Sequence, residues 1–123
     1  MIVSDWSKIK YFSEAEMKCK HTGQCKMDLY HMQQMDKLRE LCGFPIKVTS
    51  GYRHPSHPVE ARKEKAGEHA YGMAADIQVD KEQRHELLKH AFKLFPRIGV
   101  SNDFIHLGSG EHLFPSPRVW SYG

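Results

Sequence analysis

Two short stretches carry the residue types that hold and use a metal ion. In Gly67-Glu68-His69-Ala70-Tyr71-Gly72-Met73-Ala74-Ala75-Asp76-Ile77 an imidazole is followed, seven positions on, by a carboxylate, with Gly72, Met73, Ala74 and Ala75 leading directly into it. A loop bearing the imidazole can run straight into a strand bearing the carboxylate, and the small residues leave room for a ligand against the backbone. Asp103-Phe104-Ile105-His106-Leu107-Gly108 then adds a second imidazole. His69, Asp76 and His106 make a three-ligand zinc site with an open fourth position, the arrangement of catalytic rather than structural zinc. Asp103 is the nearest acidic candidate for a general base. Positions three apart on a regular strand face opposite ways, so that role requires Asp103 to sit in a turn or at a bulge. Asn102 beside it favours a turn. Arg53 offers a fixed positive fork for a carboxylate or a developing oxyanion. The spacing leaves other readings open: His106 as a half-buried core histidine, Arg53 as a surface ion-pair residue.

Other chemistry is less well supported. No HExxH, Gly-x-Ser-x-Gly, P-loop or Gly-x-Gly-x-x-Gly occurs, and no cysteine has a nucleophile's context. Cys19, His21 and Cys25 could hold a second metal, with His31 or Cys42 as the fourth ligand that structural zinc needs. The competing reading is a tight turn at Gly23 flanked by two half-buried thiols.

Helices and strands must position these groups. Ser13 and Glu16 fit a capping box opening a short helical turn that holds Phe12 and Met17 inward. Asp28 caps a helix to about position 42, with an apolar stripe of Leu29, Met32, Met35, Leu38 and Leu41; Gly43 and Pro45 end it. Residues 46–50 alternate and are β-branched, hence a strand, and Gly51-Tyr52-Arg53 turns at its end. Residues 54–68 read as a long loop with a helical turn near 59–65. A strand follows at 73–79, with Asp76 on the face opposite Ile77 and Val79. Asp80 and Gln83 cap a helix to about Phe95, striped by Leu87, Leu88, Ala91, Leu94 and Phe95. Two short strands, 98–100 and 104–107, join at Ser101-Asn102. The tail from 111 to 123 is irregular, packed down by Trp120 and Tyr122. Strands and helices do not alternate strictly, so the fold class is α+β, a small, mainly antiparallel sheet packed by helices. We expect one domain over residues 1–123 with one catalytic zinc.

Composition bounds the partners. The 123 residues are 40% hydrophobic and 27% charged, which suits one compact core. A net charge of +3 falls well short of a nucleic-acid-type basic surplus. Nine histidines are many for this length, a compositional hint of metal or acid–base chemistry. Three cysteines do not make a disulfide framework and point to a reducing compartment. The N-terminus has no basic segment followed by an apolar run, and no window approaches the ~18 apolar residues of a membrane span. The expectation is a chain synthesised in the cytoplasm without a signal peptide, which reaches an outside substrate only after release by something else.

Three blocks, in order, carry a family likeness: Ser50-Gly51-Tyr52-Arg53; Gly67-x-His69-x-x-Gly72-x-Ala74-Ala75-Asp76-Ile77; and Phe104-Ile105-His106. Together they resemble the zinc D-Ala-D-Ala carboxypeptidase family, which includes phage endolysin peptidases that cut L-Ala-D-Glu bonds in peptidoglycan stems. The resemblance extends over nearly the whole chain, from Phe12 to Tyr122. It implies a small α+β peptidase with one zinc ion on His69, Asp76 and His106. It implies Arg53 as the residue that polarises the substrate carbonyl or binds its carboxylate, Asp103 as the catalytic base, and Ser50 and Tyr52 beside Arg53 in substrate binding. The implied partner is a peptidoglycan peptide, with no nucleic acid or membrane, acted on by a monomer in a phage or prophage lysis role. The chain departs from its relatives at Glu68, where they usually carry Ser; at Leu107-Gly108, where many place Asp; and in the charged loop after His54. These departures bear on substrate choice. A different class remains open: a non-catalytic wall-binding or phage structural module whose zinc serves only folding.

Overall fold

The computed structural model describes residues 1–122. Its sheet has five strands: β1 (Lys47–Ser50), β2 (Ala74–Gln78), β3 (Arg97–Val100), β4 (Ile105–Gly108) and β5 (Arg118–Ser121). Their spatial order is β1-β2-β4-β3-β5, antiparallel at every pairing except β3 with β5. The α+β class read from the sequence is the class observed.

The two longer helices pack one face of this sheet. Helix α1 (Glu14–Met17) opens on Ser13, and the reciprocal capping box with Glu16 is present. Helix α2 (Leu29–Cys42) is capped by the Asp28 carboxylate, which accepts from His31 N, and ends at Gly43, whose φ of 73° is the left-handed closure that glycine adopts freely. Its buried side is His31, Met32, Gln34, Met35 and Leu38; Leu41 turns outward and is 51% exposed. The apolar stripe is therefore shorter than the leucine spacing suggests. Helix α3 (Pro58–Ala61) falls inside the loop expected at 54–68. Helix α4 (Arg84–Leu94) begins later than position 80, after a separate 3₁₀ turn at Lys81–Gln83, and the Asp80 side chain makes no cap bond.

Strand alternation separates the two faces of the sheet. Ala75, Ile77, Ile98, Ile105 and Leu107 join Met32, Met35 and Leu38 of α2 and Leu87 and Ala91 of α4 in one buried cluster. The opposite face is set by register. Ser50 pairs with Asp76, Asp76 with His106, His106 with Gly99, and Gly99 with Trp120, so one row crosses all five strands.

The last member of that row corrects the expectation of an irregular tail. Residues Arg118–Ser121 form β5 alongside β3. Gly99 is the physical reason: a Cβ at that position would lie 2.6 Å from the Trp120 ring, so its absence leaves room for the indole beside β3 and lets the strand pair there. Tyr122 packs there too, with its ring centroid 6.2 Å from that of Trp120.

Candidate metal centre

His69 sits in a 3₁₀ turn, Glu68–Tyr71, that ends at Gly72 with φ 70° and runs directly into β2. Its Nδ1 lies 2.7 Å from the carbonyl oxygen of Gly51. A carbonyl only accepts, so Nδ1 carries the proton and Nε2 presents its lone pair. That Nε2 is 3.3 Å from Asp76 Oδ1. His106 is arranged the other way round. Its Nε2 lies 2.8 Å from Glu68 Oε1, an acceptor, which leaves Nδ1 with the lone pair, 3.0 Å from the same Asp76 oxygen.

Two imidazole lone pairs and a carboxylate oxygen thus face one another, all within 4.8 Å and all buried. Atoms that only accept repel unless a cation lies among them. Two nitrogens and one carboxylate oxygen are a donor set that zinc takes, and each histidine donates its other N–H to an oxygen, as metal-ligating histidines do. The residues therefore fit a zinc ion held by His69 Nε2, Asp76 and His106 Nδ1.

The charges around this point are strongly coupled. Burial opposes ionisation of Asp76, but the neighbouring His106 and His69 outweigh it and hold the carboxyl far below its usual range. Burial would also lower His106, yet the negative charges of Asp76 and Glu68 beside it win and raise it. For His69 burial wins over Asp76, and its pKa falls. Arg53 ties the outer side together: Nε donates to Ser50 Oγ at 3.0 Å, Nη2 to Asp76 Oδ2 at 3.3 Å, and Nη1 faces Glu60 Oε2 at 3.5 Å.

These groups open onto a cavity of ≈ 380 Å³ with Arg53, Glu68, His69, Asp76 and His106 in its lining, Lys63 at one side, and Phe104, Phe114, Trp120 and Tyr122 as an aromatic wall. The sequence-predicted residues distribute unequally about it. Arg53 and the three ligand candidates come together. Ser50 is held beside them through Arg53. Tyr52 is turned away into the hydrophobic core, 4% exposed. Asp103 does occupy a turn, in the four-residue connection 101–104 between β3 and β4, closed by Ser101 N to Phe104 O. That turn carries it away from the ligands: it is exposed and lines a different cavity, with Lys47, Gln78, Asp80 and Arg84. Cys19, His21 and Cys25 do not join any group of three metal-type ligands among the described residues. Cys19 Sγ instead accepts from His54 N at 3.3 Å.

The sequence model of the family described as Peptidase M15 matches residues 10–108. The chain belongs to the Peptidase M15 family. Peptidases of this family are zinc-dependent, which agrees with the donor set at His69, Asp76 and His106. No curated protein matches the chain. Among the described residues of this M15 chain, no helix is long and apolar enough to cross a membrane.

Several residues of the M15 site were not singled out as functional from the sequence. Glu60 is fully buried behind Arg53, where it also pairs with Lys63 at 3.0 Å and accepts from Gly67 N at 2.8 Å. Arg97 is ion-paired with Glu68 at 2.8 Å, and Phe114 and Trp120 flank its guanidinium, with centroids 5.2 and 5.0 Å away. A lone Glu in a charged loop and an Arg after a proline carry no local signal of such roles. Only Glu68 had one, by standing out beside His69.

Proposed function

We propose that this chain is a zinc-dependent peptidase that hydrolyses an amide bond in the stem peptides of peptidoglycan, in a phage or prophage lysis role. The observation that carries the reading is the convergence of three metal-type donors in an open cavity with an aromatic wall in an M15 chain. Zinc, when bound, polarises a scissile carbonyl and brings the pKa of water toward neutrality.

The chain's own groups do the rest. His69 and His106 are oriented by Gly51 O and Glu68, so their lone pairs stay aimed at one point. Arg53 is braced by Ser50, Glu60 and Asp76, and its remaining N–H groups can hold a substrate carboxylate or a developing oxyanion without reorganising. The cationic Arg53 and Lys63 suit a peptide rich in carboxylates. Trp120, Phe114, Phe104 and Tyr122 offer an apolar wall that limits water. Asp103 is assigned the proton-accepting role on its place in the sequence, three residues before His106, and on the family likeness. Its carboxylate lines the neighbouring cavity, so this assignment requires the Asn102-Asp103 turn to swing toward His106 when substrate binds.

The test is incubation of the purified, zinc-loaded protein with intact peptidoglycan, with and without a zinc chelator, and identification of the released fragments by mass spectrometry. Chelator-sensitive release supports the reading. Free D-Ala would make the chain a carboxypeptidase, and whole stem peptides an L-Ala-D-Glu endopeptidase. Absence of fragments from zinc-loaded protein overturns it in favour of a binding module.

A further inference from the structure

Glu68 and Gly108 lie far apart in the chain yet share one volume. An ideal Cβ built on Gly108 would fall 2.6 Å from Glu68 Cδ and closer still to both carboxylate oxygens. The oxygens of Glu68 thus lie within a two-bond reach of that point, where the carboxylate of an aspartate side chain on β4 would lie. Gly108 has no left-handed φ, so its backbone does not require glycine; the space above it does. Ala74, its partner on β2, and Arg97, its partner on β3, frame the same space.

The carboxylate that fills this space is engaged through both oxygens. Oε1 meets His106 Nε2 at 2.8 Å and Arg97 Nε at 2.8 Å, and Oε2 accepts from Gly110 N at 3.0 Å. The Glu68 side chain is only 2% exposed. With both oxygens engaged and very little exposure, it is poorly placed to trade protons with a substrate. What it can do is fix the ring of His106.

We propose that Glu68 is the positioning carboxylate of the site: reaching in from the 3₁₀ turn over Gly108, it holds the proton of His106 on Nε2 and so presents Nδ1 to the metal. This rests on the zinc reading. Without Glu68, His106 has no acceptor for Nε2–H, and the ring is free to change tautomer or rotate toward Asp76. The same turn supplies His69, so one short segment gives one ligand and orients another.

The test measures zinc affinity by competition with a chromophoric chelator, and the tautomer of His106 by NMR of ¹⁵N-labelled histidine rings. Glu68→Ala should bind zinc about 10–100-fold more weakly, the usual cost of losing such a partner, and its metal-free His106 should no longer be locked with the proton on Nε2. Gly108→Ala, which keeps Glu68 but takes its space, should weaken zinc similarly. Combining the two should be no worse than the weaker-binding single variant, because both act on one carboxylate. Glu68→Ala combined with Gly108→Asp should bring affinity back to within a few-fold of wild type. Should Glu68→Ala fail to fold, Gly108→Ala and the Glu68→Ala/Gly108→Asp combination still decide. Affinity within twofold of wild type in the single variants, with His106 still a fixed Nε2–H tautomer, overturns the inference. A wild-type chain that binds no zinc at all would overturn the metal reading itself, a result distinguishable from the first.

Discussion

Asp76 and Asp103 flank the same strand, β4, and could hardly be treated more differently. Asp76 pairs with His106 in the strand register, is faced by two histidines, accepts from an arginine, and is buried. Asp103 lies in the turn that enters β4, exposed, with only its own backbone N–H reaching Ser101 Oγ. Three residues of chain, at most about 10 Å if fully extended, separate its position from His106. A carboxylate gains chemical use from what surrounds it, so on geometry Asp76 is committed to a task and Asp103 is not yet connected to one.

The sharpest way to break this contrast is to remove each in turn. Asp76→Ala, like His106→Ala, should lose the zinc altogether and leave activity at the chelator-treated level, as elemental analysis alongside a peptidoglycan assay would record. Unchanged zinc content in either would dissolve the ligand set. Asp103→Ala should keep its zinc yet lose activity by about 10²–10⁴, the usual contribution of a general base. A near wild-type rate would leave Asp103 a surface residue and hand proton transfer to another group.

Arg53→Lys comes next in size. Lysine keeps the charge but not the fork that spans Ser50, Glu60 and Asp76. If Arg53 holds the developing oxyanion, kcat should drop by about 10²–10³ with KM little changed. A rise in KM alone would instead make it a carboxylate clamp for the bound substrate.

The site was legible in the sequence where its residues are neighbours in the chain, and illegible where the sheet brings them together. The step from His69 through small residues to Asp76 survives as a turn running into a strand, and the caps at Ser13 and Asp28 are local hydrogen bonds that local sequence specifies. The role of Glu68 depends on Arg97, Gly108 and Gly110, and nothing within residues 67–77 connects them to it. Strand β5 is only four residues long, and its reason for forming, Gly99, lies on another strand. Asp103 shows an intermediate case. That it occupies a turn followed from Asn102; where the turn points is decided by the tight β3–β4 register.

Two buried histidines carry the contrast to its smallest measurable effect. His106 has two carboxylates and its pKa is raised; His31, equally buried on the α2 side, has only Ser109 Oγ at 2.7 Å on Nδ1 and nothing on Nε2, and burial pushes it down to about 3. Unfolded, His31 would take up a proton near about pH 6.5; folded, it does not until about 3. The unfolded chain therefore binds more protons between these values, and the stability that a neutral His31 allows, complete above about pH 6.5, drains away as pH falls. The slope is at most about 1.4 kcal/mol per pH unit, or roughly 2 kcal/mol between about pH 6.5 and 5. His31→Gln keeps a polar group for Ser109 but cannot titrate, so its urea midpoint should shift less between about pH 7 and 5 than that of wild type, whatever its absolute stability. Equal shifts in the two proteins would mean that His31 is protonated in the fold, with Nε2 paired, and that the difference between the two histidines is smaller than their surroundings imply.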